Sequence, residues 1–173
     1  MLFDFAIPEL VNRKMKAAFF IPTAQLGGYN AWDVTDGRAR LELMNENDIK
    51  TLTHLGMEIG AHAHHHVKLK SLSGLDKVRE EVQQSKRIIE DITQKNVYSF
   101  AYPYASVPKG YRQVLTEEGY YFGLSIYQPF EHRLALRRFG VYESDTEKTI
   151  KLKLSKQYKW MRRFYDPFKG VGQ

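Results

Sequence analysis

The 173-residue chain contains no cysteine. Disulfides, thiolate zinc sites and cysteine nucleophiles are excluded together. Compartment stays open, since a protein without disulfides can work anywhere. No apolar run approaches the roughly 18 residues that a membrane-spanning helix needs. The start, MLFDFAIPELVNRKMK, does not read as a secretory signal, because polar residues break any apolar stretch and no small-residue cleavage site follows. Internal repeats and low-complexity linkers are also lacking, so residues 1–173 are read as one domain. What is present argues against disorder: 43% of residues are hydrophobic and 13% aromatic. The net charge of +6 suits an anionic partner, and equally a solvated surface without one.

Apolar periodicity alternates between helix and strand. Phe3, Ile7, Leu10, Val11 and Lys14 follow a helical period with Pro8 in its first turn. Lys16 to Pro22 reads as a buried strand, and residues 23–40, with Gly27, Gly28 and Gly37, as a loop. A helix follows, with Asn45 as N-cap, Asp48 near the N-terminal dipole and Gly56 just past its end. Met57 to Ala61 is a second strand. The segment SGLDKVREEVQQSKRIIEDITQ is the clearest helix, with Ser73 and Asp76 as a capping pair and an apolar stripe of Leu75, Val78, Val82, Ile89 and Ile92. VYSFAYP is a third strand, Lys109 to Glu118 a helix closed by Gly119, YYFGLSIY a fourth strand and ALRRFGVY a fifth. The tail from Thr146 is basic and helical, and Ile150, Leu154, Met161 and Phe164 are expected to dock on the domain. Such alternation predicts an α/β fold with a parallel sheet, whose chemistry sits at the C-terminal strand ends.

His62, His64, His65 and His66 fall at the end of the second strand, four of the chain's six histidines. His62 and His66 are four apart, so either a helical turn or an extended backbone would place them on one face. His64 would join them only in an extended segment. Neutral imidazole is the commonest side-chain metal ligand and suits zinc; a polar loop of ordinary hydrogen-bonding imidazoles is the alternative. His54, near a helix C-terminus, reads as structural.

MEIGAHAHHHVKLKSLS resembles the second motif of the polysaccharide deacetylases, carbohydrate esterase family four. SFAYPYA resembles the third motif, an aromatic strand ending in Pro-Tyr, and AIPELVNRKMKAAFFIPT the family's first helix and second strand. EEGYYFGLSI and LALRRFGV resemble the later strands. The resemblance implies a distorted, incomplete (β/α) barrel and a hydrolase that removes N-acetyl groups from an amino-sugar polysaccharide or glycoconjugate. It also implies zinc or another divalent metal on His62 and His66. Oxyanion and substrate contacts would come from Pro103 and the Tyr104 N–H, and Arg138 loosely matches a family arginine near the active site. The Tyr104 ring, with Tyr102, could flank a sugar; simple packing is the other reading of Tyr102. The carbohydrate is then the expected partner, and family members act mostly outside the cytoplasm.

Some parts of the pattern differ. The family's Asp-Asp-Gly motif, source of its base and third metal ligand, aligns ahead of Met1, and the first barrel strand with it. The chain is therefore expected to be truncated relative to the family and weakly active, or else a non-catalytic carbohydrate- or metal-binding protein on the same fold. Ala101 stands where many members have Arg, Ala105 where Gly is common, and no His follows His132 to act as general acid. Nucleic-acid binding through the basic tail is disfavoured, since its lysines suit the solvated face of an amphipathic helix.

Overall fold

Strand and helix alternate as expected, and the computed structural model, which describes residues 2–126 and 131–169, lays five strands side by side in chain order. These are β1 (Ala18–Ile21), β2 (Glu58–Ala61), β3 (Ser99–Ala101), β4 (Phe122–Ser125) and β5 (Leu136–Arg137), all parallel. Tyr127, at the end of the predicted fourth strand, lies outside the described residues. Strand order never reverses, so the sheet has the winding of an α/β barrel and not of a doubly wound fold. Among the described residues it stays open, with β1 and β5 as its edges.

The predicted helices form α1 (Ile7–Asn12), α3 (Glu46–His54), α4 (Leu75–Thr93) and α5 (Tyr111–Glu117). Pro8 sits in the first turn of α1, preceded by a wider helical turn over Leu2–Ala6. Asn45 and Asp48 form a reciprocal cap on α3: Asn45 Oδ1 accepts from the Asn47 and Asp48 N–H groups, and the Asp48 carboxylate accepts from the Asn45 N–H. Gly56, just beyond the helix, has φ +71°, a conformation that favours glycine.

Packing explains the strand assignments. β3 is buried along its whole length, as expected for a strand with neighbours on both sides. Ile49, Leu52, Phe100 and Tyr102 join Val78, Val82 and Ile89 of α4 in one core. At Gly123 the backbone of β4 runs against the Leu134 carbonyl, leaving no room for a Cβ.

Four expectations are corrected. Residues 23–40 are not simply a loop: they contain a short turn, Thr23–Gln25, and a helix, α2 (Ala31–Thr35). Ser73 and Asp76 do not cap α4; Gly74 occupies the N-cap without a side-chain bond, and Asp76 pairs with Arg79 one turn on. Leu75 of the predicted stripe faces outward there, resting on Gly110. The tail forms α6 (Glu147–Leu154) and α7 (Lys156–Lys169), but Leu154, Met161 and Phe164 are exposed, and Ile150 is half-buried. Polar contacts hold the tail: Lys153 Nζ donates to the Gly140 carbonyl and pairs with Asp145.

Candidate active site

The histidine segment leaves β2 in neither of the expected backbones. Ala63 and His66 have φ of +61° and +56°, so the chain bends twice within four residues. Both are non-glycine residues in the left-handed region, which a surrounding structure must hold in place. Glu81 of α4 does much of this. Its Oε2 accepts from the N–H groups of His64 and His65 at 3.0 and 2.8 Å, and its Oε1 pairs with His65 Nδ1 at 2.6 Å. From the other side, Ala24 N–H donates to the His64 carbonyl, and Thr23 Oγ1 bonds His64 Nδ1 at 2.8 Å.

His64 and His65 are thereby tied away, and His62 and His66 face each other with ring centroids 4.9 Å apart. The structure brings the expected pair together, through positive-φ bends instead of a shared helix or strand face. His62 Nδ1 lies 2.6 Å from the Ala101 carbonyl at the end of β3. A carbonyl only accepts, so Nδ1 carries the hydrogen and Nε2 keeps a free lone pair. His66 Nδ1 is buried without a hydrogen-bond partner.

Both rings are held neutral. Burial pushes the His62 pKa down from 6.5 to about 4; the Ala101 bond opposes this, while His66 and Arg138 add to it. Burial likewise lowers His66 to about 4, opposed by Asp33. Arg138 sits just past β5, where its N–H donates to the Ser125 carbonyl and its guanidinium lies 6.0 Å from the Phe20 ring. Burial lowers its pKa as well.

Pro103 ends β3 and opens a tight turn, Pro103–Ala105, in which Tyr104 and Ala105 have φ of +53° and +55°. The turn is closed by Ala105 N–H to the Tyr102 carbonyl and Ser106 N–H to that of Pro103, which leaves the Tyr104 N–H outside its ladder. The Tyr104 ring is 41% exposed and lies 4.9 Å from that of His66. Tyr102 is packed instead: it is 1% exposed and its hydroxyl donates to the Leu134 carbonyl. His54, expected to be structural, is exposed with Nδ1 on the Lys50 carbonyl one turn back.

α2 adds residues that the sequence reading passed over. Trp32 lies against His66 with centroids 4.0 Å apart, and Asp33 acts electrostatically on both His66 and Tyr104. Asn30 and Asp33 repeat the spacing of Asn45 and Asp48, but Asn30 makes no side-chain cap, so that spacing alone does not signal α2. Asp33 is engaged by Arg38 and Asn30. Among the described residues no three His, Asp or Glu side chains are placed to share one metal ion.

The chain matches the family model described as polysaccharide deacetylase over residues 4–123, more than half of its length. The chain belongs to the polysaccharide deacetylase family. This deacetylase-family chain matches no curated protein. Among solved structures it resembles the deacetylase PplD of Streptococcus pyogenes, determined with acetate, at TM-score 0.73 and 18% identity, covering 89% of this chain and 65% of that one. IcaB from Ammonifex degensii matches at TM-score 0.71 and 16% identity, covering 89% of this chain and 68% of that one. A CE4 family pseudoenzyme from Bacillus anthracis matches at TM-score 0.51 and 23% identity, over 66% of this chain and 35% of that one. The family chain thus spans less than two thirds of both PplD and the pseudoenzyme. At these identities the likeness is one of fold.

Proposed function

We propose that this chain carries the histidine half of a metal-dependent N-deacetylase site, for an amino-sugar polymer or glycoconjugate. The observation that carries the reading is the meeting of two neutral imidazoles, His62 and His66, at the C-terminal strand ends of a polysaccharide deacetylase fold. The residues fit a divalent ion of the zinc type. Two imidazoles sharing a tetrahedral ion lie roughly 5 Å apart between ring centres, given nitrogen–zinc distances of about 2.0–2.1 Å. The observed 4.9 Å agrees. The Ala101 carbonyl on His62 Nδ1 is the kind of outer partner that fixes a ligand tautomer.

When bound, such an ion supplies Lewis acidity and lowers the pKa of water. The chain's own groups supply the rest. His62 is oriented by Ala101, and His66 is held between Trp32 and Tyr104. The Tyr104 N–H, outside its turn's ladder, is our candidate donor to the oxyanion that forms on the acetyl oxygen as water adds to the carbon; such a donor is typically worth about 2.7–4 kcal/mol. The half-exposed Tyr104 ring offers a face for a sugar, and Arg138 adds positive charge beside His62.

Among the described residues, the carboxylate that acts on His66 is that of Asp33, and it is already engaged. No two aspartates adjoin in its sequence, and Asp33 is tied to Arg38 and Asn30. This favours, as a second reading, carbohydrate or metal binding without turnover on the same fold. Acetate release from N-acetylated chito-oligosaccharides in the presence of zinc, run beside calorimetric binding of zinc and of the same oligosaccharides, separates the two. Release that is lost in the His62→Ala, His66→Ala double variant supports the enzyme. Zinc or sugar binding without release supports the second reading. Zinc binding unchanged in that variant would remove the histidines from both.

A further inference from the structure

Residues 146–173 hold eight of the chain's 26 Lys and Arg residues but two of its 20 Asp and Glu residues. The first 145 residues therefore carry 18 of each sign, and the whole excess of +6 resides in the tail. That charge is patterned. At about 3.6 residues per turn, Trp160, Met161, Phe164 and Tyr165 fall on one arc of α7 and Lys156, Lys159, Arg162 and Arg163 on the other.

An amphipathic helix that served only the fold would turn its apolar arc inward. α7 does not. It meets the domain along one edge, where Arg162 Nη2 donates to the Ile126 carbonyl at 3.1 Å and Tyr158 packs edge-on against Phe139. The apolar arc faces out: Trp160 is 67% exposed, Tyr165 61% and Phe164 55%. Leu152 of α6, 52% exposed, continues this surface and shares a cleft with Trp160 and Met161. Among the described residues no helix is long and apolar enough to cross a membrane.

We propose that the α6–α7 tail is a docking surface for an anionic membrane, lying in the lipid interface with Trp160, Phe164 and Leu152 in the acyl boundary and the exposed Lys156, Lys159 and Arg163 on acidic headgroups. The combination of a basic arc and an exposed aromatic and aliphatic arc is what an interfacial helix needs. A second copy of the tail is a poorer occupant, since it brings the same +6 to the contact. A nucleic acid would neutralise the charge but gives Leu152 and Met161 nothing apolar to meet.

The test uses the full chain. Co-sedimentation with vesicles of phosphatidylcholine containing phosphatidylglycerol is compared with phosphatidylcholine alone, at low and high salt. Binding is expected on the anionic vesicles, at least about tenfold weaker on the neutral ones, and weakened by salt. The Trp160→Glu, Phe164→Glu double variant, altered at exposed positions and checked for unchanged helical content by circular dichroism, should lose at least about tenfold. In a Trp32→Phe background Trp160 is the chain's remaining tryptophan. Brominated lipid should quench its fluorescence. Absence of binding to anionic vesicles overturns the proposal. So does equal binding by the double variant, or retention on duplex DNA that matches vesicle binding and ignores the variant. Self-association that the variant abolishes, without vesicle binding, assigns the face to a second copy and overturns it too.

Discussion

His62 and His66 could be paired from their spacing, but not the way they meet. The sequence suggested a shared helical or extended face, whereas Ala63 and His66 adopt left-handed backbone that no local rule assigns to alanine or histidine. Each such residue costs on the order of 1–3 kcal/mol, and the compensating bonds come from Glu81, 15 positions beyond His66 and on another element. That partnership is invisible to periodicity, because Glu81 lies within an ordinary helical run. Glu81→Ala should destabilise the chain by about 1.5–3 kcal/mol, as two backbone N–H groups lose a charged acceptor. Urea denaturation measures it, and an unchanged midpoint would show that the bends hold without it. Protons give a second test at this scale, in metal-free buffer. The folded pKa of His62 and His66 is about 4 against an ordinary 6.5, so below 6.5 the unfolded chain binds protons that the folded one resists. Stability is therefore full above about pH 6.5 and falls as pH drops toward 4. Urea midpoints across that range should fall less steeply in a His62→Gln, His66→Gln variant than in the parent.

The strands and the longer helices were legible because their apolar period is local, as is the cap of α3. α2 was not, since five residues cannot display a period and glycines flank the segment on both sides. What stabilises it is Asn30, which caps nothing and instead reaches across the loop. Its Nδ2 donates to the Ala39 carbonyl at 3.0 Å, and its Oδ1 accepts from the Leu41 N–H at 2.7 Å. Asn30→Ala should leave the sheet intact while freeing residues 29–41. Amide exchange should accelerate in that segment, with a loss of about 1–3 kcal/mol in global stability, and Trp32 should lose its place on His66. Exchange rates there equal to the parent's would mean that the loop is held by Trp32 packing alone. The strand contacts give the opposite kind of site, one where nothing can yield. A methyl group added at Gly123 meets the Leu134 carbonyl, so Gly123→Ala should cost about 1–3 kcal/mol or more by overpacking. A thermal melt compared with the parent checks this. The tail shows what a helical pattern does and does not determine. It separated apolar from basic residues correctly, but which arc faces the domain depended on the polar anchors of Arg162 and Lys153.

At the scale of the whole molecule the sheet and the site share one open side. Among the described residues β1 pairs with β2 alone, and its last residue, Ile21, accepts from the His62 N–H through its carbonyl. A further strand laid on the free edge of β1 would therefore end close to the two histidines. The same strand would cover an exposed row of backbone groups, which proteins seldom leave bare. We propose as its occupant a strand ending in Asp-Asp-Gly, the motif that the family resemblance leads one to expect, with one aspartate to complete the proposed metal site and one to act as base. The 173-residue chain assayed alone should bind zinc weakly and release little acetate, since general-base catalysis by itself is typically worth about 10²–10⁴-fold. Joined to such a strand at its N-terminus, it should bind zinc at least about tenfold more tightly and release acetate from N-acetylated oligosaccharides. Replacing both aspartates of the added strand with asparagine separates the two roles of the strand. The asparagine version should still pair with β1 and raise thermal stability, because pairing uses backbone groups, yet it should neither tighten zinc binding nor start turnover. If aspartate and asparagine versions bind zinc equally, the third ligand comes from elsewhere in the chain. If neither version raises stability, the open edge of β1 is not where the barrel closes.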